Sequence, residues 1–505
     1  MSRKVVLSDE FELSKEEFEA ILTPRRGLVA ELEQGYGYFV GDSGLAIDYE
    51  RRLEVAIEAE SDLYRVRQKV SYRVSLLGFG SLVARSIRKP LRSKNPDIKM
   101  PIWLPPDPID ADVAKGLIRL LFISITVAYF ATLLGQTLTF SAKEFASSVR
   151  VQASILFFSR FDIVFGFAFL LFVPRAGRIR VIRIALVVGT IFTVASALSP
   201  SILWLGVFQV LAKGTTAAIA VLITILASEA VAKRQRAWAL ALLIIGTAIG
   251  AGLCDLLLPI AGISNYSWRV LYLISLPLGI FGVAVSYSIA DRYFNRVASS
   301  SDEVVVRPRA SMSRSKLILA SVAAFLTNFY LIPTTQFRNE YLRTQRHFSA
   351  SAIGLFVVLT NIPGSIGLAI GGRLAETKGR RIVASAAIVI GGGGLALGFV
   401  SSGIGLWVWT ILGSALVTAV VPSLGVYQTE LFSPASRSLG GGIVTVASRV
   451  GSVLGIAFVG YFATSISIGT SVALLFFGMV LLVPILFLFF PETKGLVLDE
   501  ITQND

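Results

Sequence analysis

Four ionisable side chains stand inside long apolar stretches of this 505-residue chain: Arg160, Asp162, Lys213 and Arg449. A charge at the centre of a membrane-spanning helix costs at least ~2.5–3.5 kcal/mol unless it is paired or hydrated. Each therefore marks a candidate solute or ion pathway, with a structural ion pair or a snorkelling side chain as the plain alternative. On helical geometry Lys213 shares a face with Gln209 and Thr216, and Arg449 with Thr445 and Ser452. Cations among neutral hydrogen-bonding groups suit a carboxylate or another organic anion better than a cation. Tyr129, Thr132 and Gln136 form a further polar stripe, and Asn328, Thr410, Ser414 and Thr418 supply more hydrogen-bonding positions. The rings of Tyr129, Tyr330, Trp407 and Trp409 could hold an aromatic solute, although Trp also marks membrane interfaces.

The elements that must carry these residues are readable from hydropathy. The chain is 54% hydrophobic and only 16% charged, and its apolar residues come in blocks rather than in short periodic runs. Each block is about 18–25 residues long, enough to cross ~30 Å of hydrocarbon. About twelve spans are expected, near 117–138, 152–173, 182–199, 203–227, 237–259, 268–289, 316–336, 352–372, 382–400, 405–427, 438–462 and 470–490. Span two runs towards the cytoplasm and span eleven away from it. At ~1.5 Å per residue, Asp162 and Arg449 then lie at nearly equal depth, ~15–17 Å into the membrane. If spans two and eleven are neighbours, the two groups approach one another with Arg160 nearby. An anionic substrate that takes the arginine would leave the carboxylate ready to bind a proton, which is one route to coupling.

The blocks repeat. A basic turn reads G-R-L-A-E-T-K-G-R-R from Gly372 to Arg381, and a weaker copy, P-R-A-G-R-I-R, runs from Pro174 to Arg180. Their glycines are 202 residues apart (379 − 177). Glu229 with Arg236 repeats as Glu430 with Arg437, at an offset of 201 (430 − 229). Two motifs sharing one offset indicate a duplicated bundle, a common construction among secondary transporters. A glycine permits a tight turn, and glutamate with arginine at helix ends can pair across neighbouring helices and latch one conformer.

The formal net charge of +14 invites a nucleic-acid reading, but the basic residues cluster after spans two, four and eight. That asymmetry is a topology signal, placing both termini and the basic loops in the cytoplasm. The loop after span seven is an exception, with Arg338, Arg343, Arg346 and His347 on the expected outside. One cysteine, Cys254, excludes an intrachain disulfide framework. The first 25 residues are acidic and polar, so no cleavable signal is expected. No catalytic dyad, metal cluster or nucleotide-binding loop stands out. The chain is not expected to be an enzyme or to need a cofactor, and its energy source would be an ion gradient.

Residues 1–112 lack an apolar span. The acidic start (Glu10, Glu12, Glu16, Glu17, Glu19) predicts helix, with Ser14 as N-cap, and 47–75 predicts a second helix with mixed Glu and Arg. Arg85, Arg88, Lys89, Arg92, Lys94 and Lys99 then form a basic run that could lie on an anionic leaflet or serve as a solvated linker. The polar segment 291–315 reads as a linker between two halves.

Gly372, Leu374, Glu376, Gly379, Arg380 and Arg381 resemble the loop signature of the major facilitator superfamily. Glu430 to Pro434 with Arg437 is similar to the family's E-x-x-P-x-x-x-R element, its proline one place late. Pro491 to Gly495 resembles the P-E-T-K-G ending of sugar porters and their organic-ion relatives. The resemblance covers about 115–496. It implies an all-α polytopic fold of twelve transmembrane helices, with spans one, four, seven and ten lining a central cavity. In the context Ser448-Arg449-Val450-Gly451-Ser452, Arg449 resembles the span-eleven arginine of organic-anion transporters. The first-half loop lacks the acid, with Pro174 there instead. The sugar-porter glutamines on span seven and the Gly-Pro of drug exporters on span five are also missing, so both of those substrate classes are demoted.

These readings divide the chain into a cytoplasmic helical extension (1–112), two six-helix halves (113–290 and 316–490), a linker (291–315) and a cytoplasmic tail (491–505). The expected function is a secondary active transporter of the plasma (cell inner) membrane, carrying a small organic anion by alternating access, with protons as a candidate coupling partner. Sugar or drug transport, or a non-transporting sensor using residues 1–112 as its output, are the alternatives. The expected substrate site is Lys213, Arg449, Tyr129, Gln136, Gln209 and Asn328, with Asp162 and Arg160 for coupling. The expected latches are Gly372, Glu376, Gly379, Arg380, Arg381, Glu229, Arg236, Glu430 and Arg437. The partners are a small-molecule substrate and the lipid bilayer, with no nucleic acid and no second subunit.

Overall fold

In the computed structural model, the described residues are 4–25, 29–44, 47–57, 64–74, 84–94, 109–232, 235–289, 314–425 and 437–490. Twelve helices among them are long and apolar enough to cross a membrane. Spans one to six are Ala111–Glu144, Val149–Ala176, Arg178–Ala197, Ile202–Glu229, Trp238–Gly262 and Trp268–Tyr287. Spans seven to twelve are Arg314–Gln336, Ala350–Ala375, Arg380–Val400, Gly403–Gly425, Gly440–Phe462 and Ile468–Phe489. Each starts or ends within a few residues of its hydropathy block, save that span one extends further at both ends.

The duplication is visible in the packing. In the first half, Gly250 of span five lies against the Ile125 carbonyl of span one, so close that an added β-carbon would stand 2.2 Å from that oxygen. In the second half, Gly451 of span eleven meets the Phe325 carbonyl of span seven with a corresponding 2.3 Å. The two glycines are 201 residues apart (451 − 250), the offset of the sequence motifs. A small residue at such a point lets two backbones touch, which is how helices associate when lipid removes the hydrophobic drive between them. The turn glycines repeat as well: Gly177 and Gly379 have φ of +80° and +102°, a region that side chains disfavour.

The first half is tied at the end opposite these turns. Arg269 at the start of span six pairs with Glu144 at the end of span one at 2.6 Å. It also donates to the carbonyls of Ala197 and Ser199 after span three, while Trp268 Nε1 donates to Glu144 at 2.6 Å.

Residues ahead of span one form a five-stranded antiparallel sheet in the order β1-β5-β4-β3-β2. The strands are β1 (Val5–Leu13), β2 (Val29–Gly35), β3 (Tyr38–Gly44), β4 (Ile47–Ile57) and β5 (Tyr64–Arg73). This corrects the expected helix over 47–75 and the helical reading of Glu10 and Glu12. In β4, Tyr49, Arg51 and Leu53 point inward, and in β5, Val66, Gln68, Val70 and Tyr72 do so. That is a period of two, disguised because Arg51 and Gln68 occupy core positions. Glu10 and Glu12 face outward, opposite Arg67 and Arg65. The helix Lys15–Ile21 does form, and Ser14 and Glu17 complete a reciprocal capping box.

The polar core of this sheet is a hydrogen-bonded network centred on Glu31 and Arg51. Arg51 Nη2 and Glu31 Oε2 are 2.6 Å apart, with side chains 1% and 0% exposed. Glu31 also accepts from the Tyr49 hydroxyl and the Arg25 backbone N–H, while Arg51 donates to the carbonyls of Ile21 and Thr23. Arg25 reaches across to the carbonyls of Leu91 and Ser93, fixing part of the basic run against the sheet. One apolar cluster continues from Leu7, Val70 and Tyr72 through Ile87 and Leu91 to Ile109, Ala114 and Leu117 of span one, and to Ile182 of span three. The basic run thus includes a docked segment. Lys99 and the prolines at 101–108 lie outside the described residues.

Removing one partner of a buried ion pair strands the other, at a cost of about 3–5 kcal/mol. Arg51→Ala should destabilise the sheet by that amount, seen as early proteolysis and unfolding of the amino-terminal region in the full-length protein. Arg67→Ala, which removes the solvent-exposed pair with Glu10, should leave the same transition in place.

Candidate functional site

Span two is not one continuous α-helix. It is interrupted at Ser159–Phe161 by a 3₁₀ turn between Val149–Phe158 and Asp162–Leu171. Arg160 lies within this break and Asp162 follows it. Opposite, Arg449 projects from span eleven and places Nη1 3.3 Å from Asp162 Oδ1. The two side chains are 33% and 13% exposed, while the contacting Asp162 Oδ1 atom is enclosed. Oδ1 makes no aligned hydrogen bond, so this is a charge contact rather than a locked bidentate bridge. Lys213 is buried in span four and lies within electrostatic reach of Arg160, Asp162 and Arg449. Gly214 beside it packs against the Asp162 backbone carbonyl, which brings span four up to the break.

Asp162 and Arg449 form part of the wall of a cavity of about 480 Å³. Its other walls include Ser124 and Ala131 of span one, Thr216 and Thr224 of span four, and Leu240 and Thr247 of span five. Thr224 and Leu240 belong to the parts of spans four and five nearest the basic turns, so the cavity reaches towards that end. The opposite end is closed between the halves. Asn339 Nδ2 donates to Gln136 Oε1 at 2.6 Å, Arg343 lies 4.2 Å over the Phe140 ring, and Gly460 sits against Ala153.

The remaining expected site residues are dispersed. Tyr129 is buried and donates to the Leu271 carbonyl of span six, and Gln209 donates to Ser196 of span three. Each thus makes a hydrogen bond inside the first half, and neither lines that cavity. Gln136 also leaves the expected substrate site and joins the closed end. Asn328 borders a separate cavity of about 240 Å³ with Thr445 and Ser448. Thr410, Ser414 and Thr418 line a third of about 210 Å³ with Arg338 and Asn361. Tyr330 is buried and donates to the Gly392 carbonyl, and Trp407 packs on Phe348 and Phe356.

Among the latch residues, Glu229 at the end of span four pairs with Arg178 of the first basic turn. The two sequence motifs of that half therefore meet across neighbouring helices, through Arg178. Arg236 begins the helix of span five. In the second half, Gly372 lies near the end of span eight, and Arg380 and Arg381 begin the helix after Gly379. Glu430 and the side chains of Glu376 and Arg437 lie outside the described residues.

Two buried carboxylates escape the sequence reading. Asp255, near the far end of span five, accepts from Asn361 Nδ2 of span eight at 3.4 Å and faces Arg338. Glu340, in the short helix Arg338–Thr344 after span seven, is buried beside Thr139, Gln152 and Arg343. A loop position gave no signal for Glu340, and nearness to a span end hid Asp255.

Residues 317–500 match the family model of the Major Facilitator Superfamily. The match covers the second half of the membrane region. Solved structures of similar fold include a bacterial homologue of the human lysosomal transporter Spinster in an inward-facing, occupied conformation. It is 16% identical, with a TM-score of 0.59 over 74% of this chain and 95% of that one. The xylose transporter XylE from E. coli, inward open, is 14% identical at 0.64 over 78% and 99%. The nucleoside transporter NupG is 14% identical at 0.59 over 74% and 100%. No curated protein matches the sequence.

The closed end has a definite pH sense. Burial pushes the Glu340 carboxyl above the ordinary glutamate range, against the opposing pull of Thr139, Gln152 and Arg343. An opened, hydrated end would return it to the ordinary value, so the closed end favours the protonated form. Its stabilisation is full below the ordinary glutamate pKa and is lost as pH rises through the raised one. Spin labels at Lys143 and His347 should draw together as pH falls through that window. Glu340→Gln should hold the short distance throughout. Cys254 is buried and should not compete for label.

Proposed function

We propose that this multi-pass membrane transporter of small solutes carries an organic anion by alternating access, with Asp162 as the proton-coupling group. The observation that carries the reading is the Asp162–Arg449 contact at the wall of the largest of these cavities, with Lys213 close by. A carboxylate ligand would displace Asp162 from Arg449 and gain a charge-assisted interaction in its place. The freed Asp162 is then the natural acceptor of a co-transported proton. With the basic turns cytoplasmic, the conformation is inward-facing, and both termini lie on the cytoplasmic side of the plasma membrane. Residues 1–112 serve as an accessory domain there.

The structural relatives named for xylose and nucleosides keep a neutral polar solute in view as the second reading. The cations at the cavity favour the anion. Purified protein in proteoliposomes should take up label from a pool of organic acids, and not from sugar or amine pools. Arg449→Ala should lower that uptake at least about tenfold, as expected for losing a charge-assisted contact of ~1.5–3 kcal/mol, while retaining a folded elution profile. Asp162→Asn should flatten the pH dependence of uptake. Uptake of sugars alone, or acid uptake indifferent to Arg449→Ala, would overturn the proposal.

A further inference from the structure

The charges around the Asp162–Arg449 contact do not balance. Arg160 stands two residues before Asp162, and its Nε and Nη2 are buried without a hydrogen-bond partner. The charges acting on Arg160 are those of Arg449 and Asp162. Lys213 is buried, and the charges acting on it are those of Arg160, Asp162 and Arg449. Span one contributes Ser124 and span five Thr247 to the adjoining wall, both neutral. Asp255 belongs to the far end with Arg338 and Asn361, and Glu144 to that same end with Arg269. Three cations therefore act on one carboxylate, a net charge of +2: Asp162 and Arg449 line the cavity, and Arg160 and Lys213 stand within electrostatic reach of them outside its lining.

From this imbalance we infer that the site selects a solute of charge −2, a dicarboxylate or a phosphate monoester, over its singly charged analogue. The inference rests on the reading of this cavity as an anion site and narrows it. A monoanion occupying Arg449 leaves Arg160 and Lys213 without an added counter-charge. A second acidic group two to four bonds from the first, or the second charge of a phosphoryl group, supplies one. Arg160 is suited to that second charge because two of its three guanidinium nitrogens have no partner while Arg449 is engaged with Asp162. At an effective dielectric between that of a protein surface and that of water, one extra opposite charge at a few ångströms is worth about tenfold or more in affinity. The 3₁₀ break is what places Arg160 beside Asp162, so span two brings a cation and the balancing carboxylate to the same level.

The test uses purified full-length protein and two matched probe series, read by calorimetry at neutral pH. Succinate, succinamate and succinamide carry charges of −2, −1 and 0 at similar size. Ethyl phosphate against ethyl methyl phosphate does the same for a phosphoryl group. In at least one series the dianion should bind about tenfold or more tighter than the monoanion. Arg160→Gln should lower that ratio about tenfold, and Arg160→Lys should restore most of it. Equal affinity of monoanion and dianion in both series, no binding in either, or an unchanged ratio in Arg160→Gln overturns the charge assignment. Should Arg160→Gln fail to fold, the probe series on the unaltered protein still decides. Equal affinity for the two anions with none for succinamide would leave the anion reading standing. Binding of succinamide alone would remove both.

Discussion

A charge held in the middle of an apolar helix must be answered by another charge or by water, and this requirement organises the membrane part of the protein. Asp162 and Arg449 come from different halves and satisfy each other only across the interface between them. Arg449 of the second half finds its counter-charge in Asp162 of the first. Solvation thus ties the halves together at mid-membrane, while packing and hydrogen bonds tie them at the far end. The contact at mid-membrane is made by charge without an aligned hydrogen bond, whereas the far end is hydrogen-bonded.

The membrane fold was legible because lipid enforces a simple rule. Every spanning segment must be long, apolar and internally hydrogen-bonded, so its outline survives in hydropathy. The 200-residue repeat was legible because turn glycines and helix-end charges must recur in each copy, and Gly177 and Gly379 share the same unusual backbone. The meeting of Asp162 with Arg449 followed from equal depth on helices the fold brings together. What did not follow was the azimuth of individual polar residues. Tyr129 and Gln209 have the chemistry of a binding site, but a tyrosine or glutamine in an apolar bundle must also find a partner for its own polar group. Both found one within their own half. Type and depth can be read from sequence here, whereas facing depends on packing around the whole helix.

The amino-terminal region shows the opposite limit. Its strands were hidden because two inward positions are polar, Arg51 and Gln68, and an alternation with charged interior residues looks like a charged helix. Those residues make sense only once Glu31, Tyr49, Arg25 and the segment around Leu91 are assembled around them. Ser14 was readable as an N-cap because the cap is complete within four residues. Local devices declare themselves, and long-range polar networks do not.

The apolar cluster that runs from the sheet into spans one and three has a mechanical consequence. It makes the amino-terminal domain an arm fixed to the first half rather than a bead on a string. The far end supplies the fulcrum, since that is where the halves are pinned. A small rocking of the first half about it becomes a wide sweep at the other extremity, where the sheet is mounted. Anything that grips the sheet works at the long end of that lever, and a modest force there acts on the opening of the cavity with mechanical advantage.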